Sequence, residues 1–366
     1  MTIGVPKEIK QKEHRVALLP SAAWQLVQRG QRVLIEKDAG AGAGYDDAEY
    51  LKAGCEIVAH AAGVFDAAEL IVKVKEPQPR ELAMLHGGHT LFTYLHLAAD
   101  RALTEGLMKS GCTAIAYETV EKNRRLPLLE PMSEIAGRMS VMIGAYFLAK
   151  HNGGRGVLLG GVPGVLPGKV LIIGGGTAGM NAAQVATGIG ADVTILEVDV
   201  ERMRFLDITM HTAHTLYSNP GALLDALPDI DLIIGAVLVP GAKAPKLITR
   251  EMLHVMKPGT VFVDIAIDQG GCAETSRPTT HDSPTFVEED VIHYCVTNMP
   301  GAYARTATQA LTNVTFPYVQ WLAEGGLGGA CVKHPELKSG INIQAGRVTN
   351  EAVAAAHGLP FSAAAI

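Results

Sequence analysis

The sequence predicts an α/β protein made of two Rossmann-like domains with parallel sheets, and three observations carry that prediction. First, short apolar runs alternate with helical segments along most of the 366 residues, the pattern of strands covered on both faces by helices. Second, a glycine turn, Gly174-Gly-Gly176-Thr177-Ala178-Gly179, lies between the apolar run Lys169-Val-Leu-Ile-Ile and a helical stretch, and the run Val193-Thr-Ile-Leu-Glu197 follows as a second strand ending in an acid. Third, a long helical run stands on each side of this segment, so the chain is expected to leave a first domain, build a second and return. The length suits two domains, each with its own core.

Taken in order, the first third holds candidate strands at Thr2–Pro6, Arg32–Glu36, Leu70–Val74, Thr90–Tyr94 and Ala114–Glu118. Helices are expected at Ser21–Arg29, with Ser21 as cap and Gly30 as terminator, and at Leu97–Ser110, ending at Gly111. Ser133 is the expected N-cap of a helix reaching about His151, stopped by Asn152-Gly-Gly-Arg-Gly. A Gly/Pro-rich loop, 160–168, leads into the fingerprint strand. Strands then follow at Asp231–Ala236, Thr260–Ala266 and Ile292–Val296, with helices from Thr306 to about Gly325 and over Asn350–His357. The expected domains are 1–130 with 305–366, a discontinuous substrate domain, and 131–304, an NAD-binding domain that includes a linker helix. A cleft between them is the natural place for chemistry.

Composition narrows the function. A formal net charge of −6 argues against a nucleic-acid surface. The chain opens on Met-Thr-Ile-Gly-Val-Pro-Lys-Glu, a strand with a charged exit rather than a leader, and no apolar run approaches the ~20 residues of a membrane helix, so a cytoplasmic protein is expected. The five cysteines lack CxxC spacing, which points to reduced, buried thiols and to neither a zinc site nor a disulfide framework; no metal is expected.

In the fingerprint, Gly174 permits a tight turn, Gly176 lets the backbone approach a pyrophosphate, and Gly179 lets helix and strand pack closely. Thr177 and Ala178 open the helix whose N-terminus faces the phosphates. Glu197 stands where a carboxylate accepts hydrogen bonds from a ribose and repels a 2′-phosphate. A glycine-rich turn that binds nothing, and a flavin site, fit the same pattern.

Several polar residues stand near the C-terminal ends of strands, the edge where parallel sheets bind ligands. Arg15 can fork onto a carboxylate. Lys73 and Lys75 share one face at period two, and burying them requires an anionic partner. Lys75, nearer the end, suits a carboxylate or carbonyl oxygen. His96, at a strand-to-helix junction, can transfer protons near neutrality. Asp268 follows a central strand and faces the expected cleft, whereas Asp264 reads as a structural residue or a cap. Lys12, His14, His86 and His89 read as surface residues. Together Arg15 and Lys75 form a carboxylate clamp, and His96 and Asp268 an acid/base pair, as oxidation of a small 2-amino or 2-hydroxy acid requires.

The motifs Gly4-Val-Pro-Lys-Glu-Ile-Lys, Glu13-His-Arg-Val-Ala, Val72-Lys-Val-Lys-Glu-Pro, Phe92-Thr-Tyr-Leu-His-Leu-Ala, Pro131-Met-Ser-Glu-Ile-Ala-Gly-Arg, Gly235-Ala-Val-Leu-Val-Pro-Gly-Ala-Lys-Ala-Pro, Val263-Asp-Ile-Ala-Ile-Asp-Gln-Gly-Gly and Thr297-Asn-Met-Pro-Gly-Ala closely resemble those of the bacterial L-alanine dehydrogenase family. They run in order from residue 1 to about Gly346. The resemblance implies an NAD-dependent enzyme that interconverts L-alanine with pyruvate and ammonium. It implies that Arg15 and Lys75 hold the substrate and that His96 and Asp268 move protons. It places Ser133, Glu197 and Asn298 at cofactor-contacting positions, with Arg202, Asn219, Val237 and Leu238 as further cofactor contacts. Many members carry Asp where this chain has Glu197. Family members are commonly homohexamers. Three alternatives stay open: the NAD-binding component of a proton-translocating transhydrogenase, a saccharopine-type dehydrogenase, and an NAD-sensing protein without turnover.

Overall fold

The computed structural model describes residues 1–238 and 244–366. The chain divides into two compact units, Met1–Met132 with Gly301–Ile366, and Ser133–Pro300. The strands in chain order are β1 (Thr2–Val5), β2 (Arg32–Glu36), β3 (Glu56–Val58), β4 (Leu70–Val72), β5 (Thr90–Thr93), β6 (Thr113–Ala116), β7 (Lys169–Ile173), β8 (Asp192–Glu197), β9 (Ala213–Tyr217), β10 (Leu232–Gly235), β11 (Val261–Asp264), β12 (Thr285–Glu288), β13 (Val291–Tyr294), β14 (Ile341–Gln344) and β15 (Arg347–Val348).

In the first unit the sheet order is β15-β14-β6-β5-β4-β1-β2-β3. Strands β1 to β6 are mutually parallel, while β14 joins β6, and β15 joins β14, antiparallel. The second unit runs β12-β13-β11-β10-β7-β8-β9, with β12 as an antiparallel edge. Renumbered within each unit, both parallel cores have the order 3-2-1-4-5-6, the doubly wound arrangement in which ligands bind where the order reverses. The expected α/β class with two Rossmann-like units is what the chain adopts.

Alternation explains the burial of the second sheet. Val170 and Ile172 of β7, Leu232 and Ile234 of β10, and Val261 and Val263 of β11 pack into one cluster. Leu171, Ile173, Ile233 and Phe262 from the same strands pack into a second cluster on the opposite face. All five cysteines are buried thiols, three in the first unit and two in the second. Among the described residues no helix is long and apolar enough to cross a membrane, and no cluster of side chains suits a metal ion.

Local details depart from the sequence reading at several points. The helix Pro20–Gln28 starts after Leu19 with Pro20 in its first turn, so Ser21 lies inside it and caps nothing. Leu97–Ala99 is a short 3-10 turn, and the helix Arg101–Ser110 is capped instead by Asp100, which accepts from Leu103 N–H at 2.9 Å. The helix Glu130–Phe147 begins three residues before the expected cap Ser133, because Pro131 is tolerated in a first turn where its missing N–H costs nothing. Strand β4 stops at Val72, so Lys73 and Lys75 extend beyond it. His89 is buried rather than at the surface; its Nε2 bonds Phe65 O at 2.8 Å, and its Nδ1 accepts from His86 N–H. The helix expected to end near Gly325 runs Ala304–Lys333 with a break at Gly326 (φ 59°). Asn350 caps the last helix, Glu351–His357.

Candidate functional site

In the second unit the glycine turn connects β7 directly to the helix Thr177–Gly188, at the point where the strand order reverses between β7 and β10. Gly174 has φ +98°, and a Cβ there would meet Ala236 O at 2.8 Å. A Cβ on Gly179 would lie 1.8 Å from Gly174 O. Gly176, the N-cap, has nothing within 4 Å of where a Cβ would stand, so its backbone is open to approach. Thr177, Ala178 and Gly179 fill the first helical positions, whose N–H groups have no carbonyl one turn back. A closely packed turn with an open backbone face and forward-pointing N–H groups fits the pyrophosphate of a dinucleotide.

Glu197 ends β8 and braces the same turn. Its Oε2 accepts from Gly175 N–H at 2.8 Å, and its Oε1 from Val198 and Asp199 N–H at 2.7 and 3.0 Å. Arg202 approaches from the other side, donating from Nε to Gly175 O at 2.6 Å, with its guanidinium 4.9 Å from the Phe205 ring centre. Asn219 caps the helix Pro220–Ala226 through Ala222 N–H at 3.0 Å. Ser133 is half-buried in the first turns of Glu130–Phe147. Val237 packs at the margin of the core after β10, and Leu238 is exposed. The rest of that motif, 239–243, lies outside the described residues. Asp268 is exposed on the 3-10 turn Ile265–Gln269 and accepts from Asn298 N–H at 3.3 Å, where Asn298 holds φ +60°. Asp264 is a cap as expected: fully buried, it accepts from Ala266 N–H, Cys272 N–H and Ser276 Oγ. Burial pushes its carboxyl up, and pushes the Cys272 thiol up with it.

In the first unit the chain-reversal point lies between β1 and β4, and it is built from charge. Lys73 is 0 % exposed and donates to Glu8 at 3.1 Å and to Glu81 at 2.6 Å. Burial works against its ammonium, but the two carboxylates more than offset that and hold the group above its ordinary range. The sequence requirement for an anionic partner is thus met at Lys73. Glu8 also accepts from Val74 N–H at 2.6 Å, which fixes the segment that carries Lys75. Lys75 is buried, and Thr93 Oγ1 on β5 donates to its carbonyl at 3.0 Å.

Arg15 is also buried, and sequence reasoning missed the group that holds it. Glu13 accepts from Nε at 2.7 Å and from Nη2 at 2.6 Å, a two-point grip, while Nη1 lies 3.0 Å from Met132 Sδ. Glu13 keeps the guanidinium charged against burial. Tyr94 lies within electrostatic reach of Arg15 and anchors its hydroxyl on Leu128 O at 2.5 Å. Its ring lies parallel to that of His96, 5.9 Å between centres. His96 is half-buried at φ 50°, ψ 39°. Among the described residues its imidazole makes no hydrogen bond. The first unit therefore sets the Arg15 guanidinium within electrostatic reach of Tyr94 and the His96 ring parallel to it, and holds the Lys75 carbonyl on the neighbouring Thr93; Asp268 and Asn298 pair with one another in the second unit.

Fold and site together define a dinucleotide-binding α/β protein with one glycine-built unit and one charge-built unit. Residues 4–136 match the family model described as Alanine dehydrogenase/PNT, N-terminal domain, and residues 140–351 match Alanine dehydrogenase/PNT, C-terminal domain. The chain belongs to the alanine dehydrogenase/PNT family. An alanine dehydrogenase of Halomonas elongata is 55 % identical over 367 aligned residues, which cover 100 % of this chain and 99 % of that protein. A solved L-alanine dehydrogenase superposes with a TM-score of 0.93 at 52 % identity, covering 98 % of this chain and 99 % of the other. A solved transhydrogenase from Sinorhizobium meliloti has a TM-score of 0.81 at 24 % identity, covering 96 % and 100 %, a likeness of fold alone.

Proposed function

We propose that the chain is an NAD-dependent L-alanine dehydrogenase, catalysing the reversible oxidative deamination of L-alanine to pyruvate and ammonium. The observation that supports this reading most directly is the buried pair Arg15 and Lys75, with the half-buried His96, in a chain related over its full length to alanine dehydrogenases. Bound NAD⁺ supplies the hydride acceptor. Gly174, Gly176, Thr177, Ala178 and Gly179 hold its pyrophosphate, Glu197 its ribose, and Ser133, Arg202, Asn219, Val237, Leu238 and Asn298 complete the contacts. The carboxylate on Glu197 disfavours a 2′-phosphate, hence NAD over NADP.

The chain's own groups hold the substrate and move protons. Arg15 grips the carboxylate and Lys75 the carbonyl oxygen, which fixes Cα in one orientation. His96 and Asp268 take the proton from the substrate amine and from the water that adds to the imine carbon, and return one to the departing amine. The unit that carries Arg15 is the substrate domain, expected as 1–130 with 305–366, and 131–304 is the cofactor domain. A cytoplasmic homohexamer is the assembly proposed with this activity.

The test is NADH absorbance with L-alanine and NAD⁺, and in reverse with pyruvate, ammonium and NADH. Turnover both ways with little from NADP⁺ is expected. Tight NADH binding without turnover on any 2-amino acid would overturn the reading in favour of a transhydrogenase-like or sensing module.

A further inference from the structure

His96 stands in a backbone conformation that non-glycine residues rarely adopt, and such outliers persist only where the surroundings enforce them. The enforcing group is a carboxylate. Glu118 sits on the 3-10 turn Tyr117–Thr119 that follows β6, the strand paired with β5. Its Oε1 accepts from His96 N–H at 2.6 Å, and both of its oxygens stand 3.2 Å from Leu95 N–H. Two successive N–H groups converging on one anion make a small nest, and the bond to His96 has the short length of a charge-assisted one. The Tyr94 ring, parallel to the imidazole at 7°, forms a floor for it.

We propose that Glu118 is the positioning residue for the His96 imidazole, acting through the backbone. The inference rests on the role given to His96 above. Catalytic histidines are commonly oriented by a carboxylate bonded to one ring nitrogen, which occupies that nitrogen. Here the carboxylate fixes the main chain instead. The direction of the Cα–Cβ bond is set by φ and ψ, so locking them aims the ring while leaving both nitrogens to substrate and water. Losing the lock lets residue 96 relax to an ordinary conformation, and the ring leaves its place.

The experiment compares Glu118→Ala, Glu118→Gln and His96→Ala in the full chain, reading kcat, the pyruvate KM, the NADH dissociation constant and Tm. Displacing the ring should cost about 100-fold in kcat for Glu118→Ala, with pyruvate KM and NADH affinity near wild type. Glu118→Gln keeps one oxygen for His96 N–H and should recover most of that loss. A kcat near wild type in Glu118→Ala while His96→Ala is inactive overturns the proposal alone. So does a Glu118→Ala defect in which kcat, KM and Tm fall together and glutamine restores nothing. Near-normal turnover in His96→Ala overturns the role of His96, and the proposal with it. If the alanine variant does not fold, Glu118→Asp, with its shorter reach, should show the same kcat loss at unchanged KM; wild-type kcat there overturns the proposal.

Discussion

The two units share one strand order and solve the same position in opposite ways. Between β7 and β10 the chain turns through residues 174–176 and enters a helix at once, so the backbone itself is the binding surface. Between β1 and β4 the connection from β1 to its helix spans residues 6–19, and that length brings Glu8, Glu13 and Arg15 over the sheet end beside Lys73 and Lys75. A short glycine turn presents N–H groups to any phosphate-bearing ligand. A long loop lets side chains be chosen, which is what recognition of one small carboxylate requires. The difference teaches that the topology supplies a place, and the loop length decides whether backbone or side chains fill it.

The contrast can be broken from the charged side first. Lys73→Met leaves Glu8 and Glu81 buried without their cation and should cost about 3–5 kcal/mol of stability by urea unfolding. A loss under about 1 kcal/mol would mean the cluster is not structural. On the glycine side, Gly179→Ala drives a methyl into Gly174 O, so NADH affinity by fluorescence titration should fall about 100-fold, roughly 2.7 kcal/mol. Unchanged affinity would remove the turn from cofactor binding. Arg15→Lys keeps the charge but loses the fork that Glu13 holds, and the pyruvate KM should rise about tenfold with NADH binding intact.

The smallest effect concerns Glu76. Burial pushes its carboxyl up, but Lys75 and Lys10 pull it further down, leaving it below its ordinary value of 4.5. A depressed carboxyl contributes stability above that ordinary value and loses it as pH falls through the folded value. The urea midpoint of the parent chain should therefore exceed that of Glu76→Gln at pH 7, and the gap should narrow as pH falls from 4.5 through the lower folded value. A gap independent of pH would contradict the ion-pair origin.

What could be read from sequence follows the same division. The glycine turn was legible because each glycine acts locally, through a φ or a close approach within a few residues. Arg15, Lys75, His96 and Asp268 were legible as unusual polar residues at strand ends. The acids that brace these segments, Glu8, Glu13, Glu81 and Glu118, were not, since a pairing acid, whether two residues from its partner as Glu13 is from Arg15 or 65 as Glu8 is from Lys73, resembles any surface acid in a single sequence. The hint was the pairing demanded by a buried lysine, which named a charge but no residue. Strand β9 was missed because it lies at a sheet edge with little apolar alternation, and β3 because three residues carry no period. Caps slipped wherever a proline or an aspartate one turn away competed with the expected serine or leucine start.

The buried thiols have a practical consequence. Cys55, Cys112 and Cys331 lie in the first unit, Cys272 and Cys295 in the second, and burial raises the pKa of each. Thiolate is the reactive form, so alkylation waits for local opening. Mass-resolved labelling along a denaturant series thus clocks each unit separately, without an introduced probe.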